Sequence, residues 1–116
     1  MESKYVVIIE KIVAYMDKIA AYVGDADQAA FLADTKLIEA CVFNMLQMGE
    51  LAGRLDENFR KARPDIPWQK IRGLRNKIAH DYEGVRLDII WDIVKNDLGR
   101  LRGQLAALLL QNAQDS

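Results

Sequence analysis

The feature that most constrains the fold is a series of large apolar residues in the last third of the chain. The intervals between them alternate between four and three residues, in the order Leu87, Trp91, Val94, Leu98, Leu101, Leu105 and Leu108. On an α-helix, such intervals place all these side chains along one narrow face in a heptad-like seam. A seam of this kind requires a second helix against which it can be buried. The sequence therefore predicts a helix that begins near Leu87 and packs within a helical bundle.

The first part of the chain shows the same helical spacing. A helix is predicted from about Lys4 to Val23, and its core positions are expected to be Val6, Ile9, Val13, Met16 and Ala20. The glycine and aspartates that follow Val23 should end it. A short helical turn is then expected around residues 28–32.

Two further helices are predicted in the middle of the chain. One should begin behind the capping residues Asp34 and Thr35 and end before Pro64, because a proline disfavours helical geometry in the residue that precedes it. The next should begin at Pro67, whose missing N–H costs little in a first turn, and should end between residues 80 and 84. Its expected core positions are Ile71, Leu74 and Ile78.

Composition agrees with one small domain that spans residues 1–116. Hydrophobic residues make up 51% of the chain, which is enough for a core, and the single cysteine excludes an internal disulfide framework. No stretch alternates apolar and polar residues long enough for a convincing strand, and none approaches the roughly 20 apolar residues of a membrane span. We therefore expect an all-α, antiparallel bundle of four main helices in a soluble, cytoplasmic protein, with a frayed polar tail over residues 111–116.

Charge is distributed unevenly although the formal net charge is only −1. The segment from Arg54 to Lys77 holds eight basic and three acidic residues, whereas the rest of the chain holds eight basic and fourteen acidic ones. A basic surface on an otherwise acidic protein favours a polyanionic partner, although a solvated helical face has the same composition. Arg72 and Lys77 are the candidates within this segment for contacts with RNA phosphates.

His80 is the only histidine in the chain, and Arg75 precedes it by five residues. On a continuous α-helix the two side chains would diverge by about 140°. Two arrangements would bring such groups to one substrate: the helix unwinds just after Ala79, or the groups converge with those of a second subunit. The sequence leaves both open.

An imidazole and a guanidinium suit the cleavage of RNA within the strand. That reaction removes a proton from a ribose 2′-hydroxyl, places extra negative charge on the phosphate and protonates the leaving oxygen. An imidazole that titrates near neutrality serves as base or acid, and a guanidinium binds phosphate oxygens through a fixed fork of donors. The sequence shows no metal-ligand motif and no phosphate-binding glycine loop, so no metal and no cofactor are predicted.

Residues 75–82, RNKIAHDY, resemble the R-x4-H-x-Y motif of HepT-like ribonuclease toxins in the HEPN superfamily. Three other stretches resemble that family in the expected order: GELA at residues 49–52, IPWQKIRGLRN at residues 66–76 and DYEGVRLDIIW at residues 81–91. The similarity covers most of residues 5–110. The short motif is weak by itself, whereas the whole series is specific.

The resemblance implies a homodimer whose two motifs line one cleft and cut RNA, such as tRNA or mRNA, without metal. Arg75 and His80 would be the catalytic pair, with Asn76 as a polar support. The protein would be the toxin of a type II/VII-like toxin–antitoxin pair. Its antitoxin, a minimal nucleotidyltransferase, would transfer AMP onto the motif tyrosine, Tyr82. The added phosphate would place negative charge where the substrate phosphate must bind.

Glu50 is a carboxylate within an apolar stretch, so we expect it to be partly buried and to need a partner. In the context of the family pattern, it is predicted to hold Arg75 or another arginine in place.

Two alternatives to the enzyme remain. One is a HEPN module without nuclease activity that binds a nucleotidyltransferase or nucleotides, which the acidic neighbours Asp81 and Glu83 would favour by weakening RNA binding. The other is a helical scaffold without a site, which would require the motif and its flanks to match by accident.

Overall fold

The structure is a computed structural model that describes the backbone of residues 1–83 and 86–115 and the side chains of residues 1–80 and 86–115. This part of the chain contains no strand, so the predicted all-α bundle is confirmed. None of its helices is both long and apolar enough to cross a membrane. The helices are α1 (Ser3–Val23), α2 (Gln28–Leu32), α3 (Thr35–Gly53), α4 (Glu57–Lys61), α5 (Trp68–Arg72), α6 (Leu74–Glu83), α7 (Leu87–Asp92) and α8 (Leu98–Asp115).

The long helices α1, α3 and α8 form the body of the bundle. Helix α1 packs against both α3 and α8, and α3 also packs against α5 and α6. Near the start of α1, the Tyr5 hydroxyl donates a hydrogen bond to Asp56, which follows the end of α3. Near the other end of α1, Asp17 accepts hydrogen bonds from Arg102 in the first half of α8. Both neighbours of α1 therefore run antiparallel to it.

The core face of α1 differs from the prediction at three of five positions. Ile9 and Met16 are buried as expected, but Val6 and Val13 lie half-buried at the border and Ala20 is exposed. The buried positions are Tyr5, Ile9, Ile12, Met16 and Ile19. The predicted stripe was rotated towards smaller residues, whereas the bundle buries the larger side chains of the same helix.

The second long helix ends much earlier than predicted. Helix α3 stops at Gly53, well before Pro64, and the separate turn α4 follows. Leu55 and Phe59 are both buried, and the Phe59 ring lies 4.4 Å from the ring of Tyr5. A straight continuation of α3 would carry these two side chains past the end of α1, so the chain bends to bury them.

The third helix is broken into α5 and α6 at Gly73. The break was not predicted, although the end at Glu83 falls within the expected range. A Cβ atom at Gly73 would lie 2.9 Å from the backbone oxygen of Gln69, closer than side chains tolerate. The local geometry of this joint therefore requires glycine.

The last helix is interrupted by a π-helical turn, Ile93–Asp97, between α7 and α8. The N–H of Leu98 donates to the carbonyl of Ile93, a step of five residues instead of four. Of the predicted seam, Trp91, Leu98, Leu101 and Leu105 are buried, whereas Leu87, Val94 and Leu108 are half-buried. The expected fraying of the tail is wrong, because α8 continues to Asp115.

Candidate functional site

The site forms where α3 passes the joint between α5 and α6, and Gly49 sets the distance there. A Cβ atom at Gly49 would lie 3.2 Å from the backbone nitrogen of Arg75 and 3.3 Å from the carbonyl oxygen of Ile71. Only glycine lets the two backbones approach this closely without displacement. The residue that follows it, Glu50, is thereby carried next to the start of α6.

Glu50 and Arg75 form an ion pair between α3 and α6. Arg75 Nη1 lies 3.1 Å from Glu50 Oε2. The contact agrees with the sequence analysis. The side chain of Glu50 is 48% exposed, so its burial is partial, and that of Arg75 is 66% exposed. Such an exposed pair contributes little to stability. It does restrict the directions in which the guanidinium of Arg75 can point.

His80 lies on the same helix as Arg75, and its side chain is exposed. Helix α6 continues through Ala79 to Glu83, so unwinding just after Ala79, one of the two arrangements considered, is wrong. The two side chains therefore leave a regular helix about 140° apart. Within one chain they do not face the same point.

An open cavity of about 500 Å³ brings several of the predicted residues together. Arg72, Arg75 and Asn76 line it with Glu50, and all four side chains are exposed. His80 is not part of its lining. The cavity thus begins at Arg75 and extends over the joint between α5 and α6, towards the end of α3.

Two residues that the sequence analysis did not select, Arg54 and Gln69, also line this cavity. Arg54 follows Glu50 by four residues, a spacing that places two side chains on the same face of a helix. That spacing was the signal available in the sequence. Gln69 had no comparable signal, because its place depends on how α5 packs.

Lys77 is not brought to the arginines. It lines a separate hollow together with Lys70 and three carboxylates, those of Asp88, Asp92 and Asp97. The carboxylates outnumber the two ammonium groups, which makes this hollow a poor place for a phosphate group. The predicted contact of Lys77 with RNA therefore has no support from its neighbours, and it stays a prediction. Tyr82 lies near the end of α6, and its side chain is outside the described residues.

The chemistry available at this site comes from a guanidinium and an imidazole. Among the described residues, no three His, Cys, Asp or Glu side chains are grouped so as to hold a metal ion. Burial raises the pKa of the Cys41 thiol to about 11, so this cysteine is not an activated nucleophile. Arg75 can bind and neutralise a phosphate group, and His80 can exchange a proton.

Comparison with known proteins gives a consistent answer. The family model described as "Ribonuclease HepT-like" matches residues 12–108. The chain is 36% identical to "Putative RNase MJ0127" of Methanocaldococcus jannaschii, over 70% of this chain and 67% of that protein. It is 32% identical to "Probable ribonuclease HepT" of Thermococcus cleftensis, over 67% of this chain and 71% of that protein. No solved structure matches the chain.

Proposed function

Because the chain belongs to the HepT-like ribonuclease family, we propose that residues 1–116 act as one domain that cleaves RNA within the strand. The base at His80 takes the proton of a ribose 2′-hydroxyl. The 2′-oxygen then bonds to the neighbouring phosphorus while the bond from phosphorus to the 5′-oxygen breaks. The leaving oxygen takes the proton that His80 removed, so the products end in a 2′,3′-cyclic phosphate and a 5′-hydroxyl. No metal is required in this scheme.

Arg75 stabilises the charge that develops on the phosphate. Its guanidinium offers paired donors to two oxygens, and such contacts are most useful when they strengthen in the transition state. Glu50 holds this guanidinium at 3.1 Å and limits its motion. Asn76 is exposed beside Arg75 in the same cavity and supplies an amide for hydrogen bonds to the substrate.

The functional unit in this proposal is a homodimer. Arg75 and His80 diverge on a continuous helix, so Arg75 of one subunit and His80 of the other act on one phosphate in a shared cleft. This divergence is the observation that supports the proposal most strongly. In the dimer, Arg75 and His80, which are separated within one chain, form the two halves of one site.

Regulation in this proposal involves a nucleotidyltransferase antitoxin. The Tyr82 oxygen attacks the α-phosphorus of ATP, an AMP–tyrosine bond forms and pyrophosphate leaves. The adduct adds a negative charge and bulk two residues from His80, where the substrate phosphate binds. RNA is then excluded while the AMP group is present.

The first prediction concerns cleavage itself. Unmodified protein should cut total cellular RNA or tRNA in the presence of EDTA, whereas Arg75→Ala and His80→Ala should each lower the rate by about 10²–10⁴-fold, as for other general acid–base or oxyanion-stabilising groups. Gel analysis of end-labelled RNA measures the rate, and the expected 2′,3′-cyclic phosphate is identified by mass spectrometry.

The matched control is Arg100→Ala, which removes an exposed arginine of α8 far along the chain from the motif. It should cut at the normal rate. Both motif variants should remain folded and dimeric, as measured by circular dichroism and light scattering. If unmodified protein free of AMP leaves all RNA intact, the enzyme proposal is wrong, and the binding-module alternative replaces it.

A further inference from the structure

The cavity beside Arg75 has more positive charge than one cleaved phosphate needs. Three guanidinium groups, those of Arg54, Arg72 and Arg75, line about 500 Å³ together with one carboxylate, that of Glu50. The volume is within the range of small-ligand sites. Cations of like sign around one concave surface repel each other and attract an anion.

Arg75 forms an ion pair with Glu50, whereas Arg54 and Arg72 form no ion pair with the described side chains. In residues 1–80 and 86–115, no carboxylate lies within ion-pair distance of Arg54 or Arg72, and neither guanidinium makes a hydrogen bond. Arg72 is attracted at longer range by Glu57. As far as the described side chains are concerned, the donors of both arginines are therefore free to bind a ligand.

The wall of this cavity is built partly from bare backbone. Gly49, Gly53 and Gly73 all lie in its lining. A Cβ atom at Gly53 would meet nothing within 4 Å, so the space above it is open. A ligand can therefore approach the helix backbone between the arginines without displacing a side chain.

We propose that Arg54 and Arg72 bind a second phosphate group of the RNA strand, next to the phosphate on which Arg75 acts. The inference depends on the proposed RNA substrate, because the neighbouring phosphate exists only in a polynucleotide. Arg75 lines the cavity and His80 of the same chain does not. The strand therefore passes from the shared cleft, where Arg75 and the other subunit's His80 act, into the cavity beside Arg75. Gln69 and Asn76 lie in the same lining and offer amides to the sugars or bases.

This arrangement also sets a minimum length for the substrate. The preferred substrate is RNA of at least three nucleotides, which has one phosphate at the cleaved position and one for the arginine cavity. A dinucleotide fills only the first position.

The test is the salt dependence of binding. A 2′-O-methyl octaribonucleotide, which lacks the attacking hydroxyl, is titrated with unmodified protein between 50 and 200 mM salt by fluorescence anisotropy. Each phosphate contact on a single strand adds about 0.7 to the magnitude of the negative slope of log K against log salt. Because both arginines bind the same phosphate, the double variant Arg54→Ala/Arg72→Ala should lower this magnitude by about 0.7. Arg54→Ala and Arg72→Ala should each lower it by part of that amount and weaken binding by about tenfold at the lowest salt.

Two further variants make the test specific. Arg54→Lys keeps the positive charge but loses the paired donors of the guanidinium. It should therefore keep the salt dependence of binding and lose only part of the affinity. Arg100→Ala removes an exposed arginine elsewhere and should change neither quantity. With cleavable substrates, unmodified protein should prefer a trinucleotide over a dinucleotide, and Arg54→Ala should lose that preference.

The outcomes separate this inference from the proposed function. If the protein cleaves RNA but Arg54→Ala keeps the slope, the affinity and the preference for a trinucleotide, the second phosphate position is wrong and the enzyme proposal stands. If binding shows the expected losses and nothing is cleaved, the phosphate position stands in a protein that binds RNA without cutting it. If the octanucleotide does not bind at 50 mM salt, the second phosphate position is overturned, and the cleavage assay alone decides the enzyme proposal.

Discussion

Helix α3 makes two kinds of contact, and they differ in what holds them together. It packs against α1, and its large apolar side chains, such as Ile38, Met45 and Met48, are at most 3% exposed. Towards the joint of α5 and α6, the backbone of α3 at Gly49 contacts the backbone of Ile71 and Arg75. The charged side chains beside this contact, those of Glu50 and Arg75, are exposed. The first contact stabilises the fold by burying apolar area. The second sets the position of Glu50 against Arg75.

The difference indicates that stability and activity can be changed separately in this protein. Exposed ion pairs and exposed amides contribute little to the free energy of unfolding. Their positions nevertheless decide whether a guanidinium meets a phosphate, and small displacements are costly in catalysis. The following predictions test that separation from the largest expected effect to the smallest.

The largest effect should come from the α1–α3 contact. Ile12 is fully buried in α1, and Ile12→Ala should lower the free energy of unfolding by about 2–5 kcal/mol through lost burial and a cavity. Asn76→Ala, at an exposed position, should change it by less than about 0.5 kcal/mol. Urea unfolding followed by circular dichroism measures both values.

Cleavage should show the opposite order. Ile12→Ala, assayed at a temperature where it remains folded, should cut RNA at the normal rate, whereas Asn76→Ala should lose about tenfold if one hydrogen bond to the substrate is removed. Equal losses of activity in both folded variants would show that the two contacts are not separable.

Gly49→Ala should affect activity more than stability. The new Cβ would press on the backbone of Arg75 and Ile71 at 3.2 and 3.3 Å, so α6 must shift by a few tenths of an ångström. The gain of about 1 kcal/mol from replacing a helical glycine should be cancelled by this crowding. We expect about a tenfold slower cleavage, since a displacement of about 1 Å can cost about 100-fold.

Gly103→Ala is the matched control for Gly49→Ala. It lies in α8, and its Cβ would meet nothing within 4 Å. This variant should gain about 1 kcal/mol in stability and keep the normal rate of cleavage. If Gly49→Ala shows the same gain and the same rate, the approach at Gly49 does not position Arg75.

The smallest effect concerns the ion pair that joins α1 to α8. A hydrogen bond from Arg102 holds the pKa of Asp17 below its usual range, and the Arg102 charge adds to this. A carboxylate with a lowered pKa stabilises the fold above its ordinary pKa, near 4, and loses that contribution as the pH falls through the folded value. Because the pair is exposed, Asp17→Asn should cost only about 0.2–1 kcal/mol at pH 7.

The cost of Asp17→Asn should be smaller at pH 2 than at pH 7, because protonation of Asp17 removes the ion pair as the pH falls through the lowered pKa of the folded state. Asp25→Asn is the control, since Asp25 has no ion pair within the described side chains. Thermal unfolding at both pH values gives the comparison. A cost that persists unchanged at pH 2 would exclude the ion pair as its source.

Local sequence signals were enough to predict some helices and some helix ends. The spacing of apolar residues gave α1, which ends at Val23 as expected, and a short helical turn was expected where α2 lies. The end of α3 at Gly53 and the break at Gly73 depend on what the chain packs against. Leu55 is buried only because the chain bends there, and no spacing in the sequence contains that information.

The candidate site shows the same division. The contact of Glu50 with Arg75 was predicted from residue types and a family resemblance, and the structure contains it. Arg54 was missed because its role depends on where α3 ends relative to α5. Lys77 was grouped with Arg72 by charge, although the two residues lie on different helices and their side chains line different hollows. The break at Gly73, which spacing did not reveal, separates them.

The π-helical turn at Ile93–Asp97 has a consequence for how this chain can change in length. A five-residue hydrogen-bonded step holds one residue more than an α-helical turn, as a helix does after absorbing a single inserted residue. Removal of one residue there would restore a regular helix and leave the residues beyond it on the same side of the bundle. Removal of one residue near the start of α8 would instead rotate everything beyond it by about 100°, so that Leu101 and Leu105 leave the core and Arg102 leaves Asp17. The π-helical turn is therefore the place in this helical segment where the loss of one residue is best tolerated.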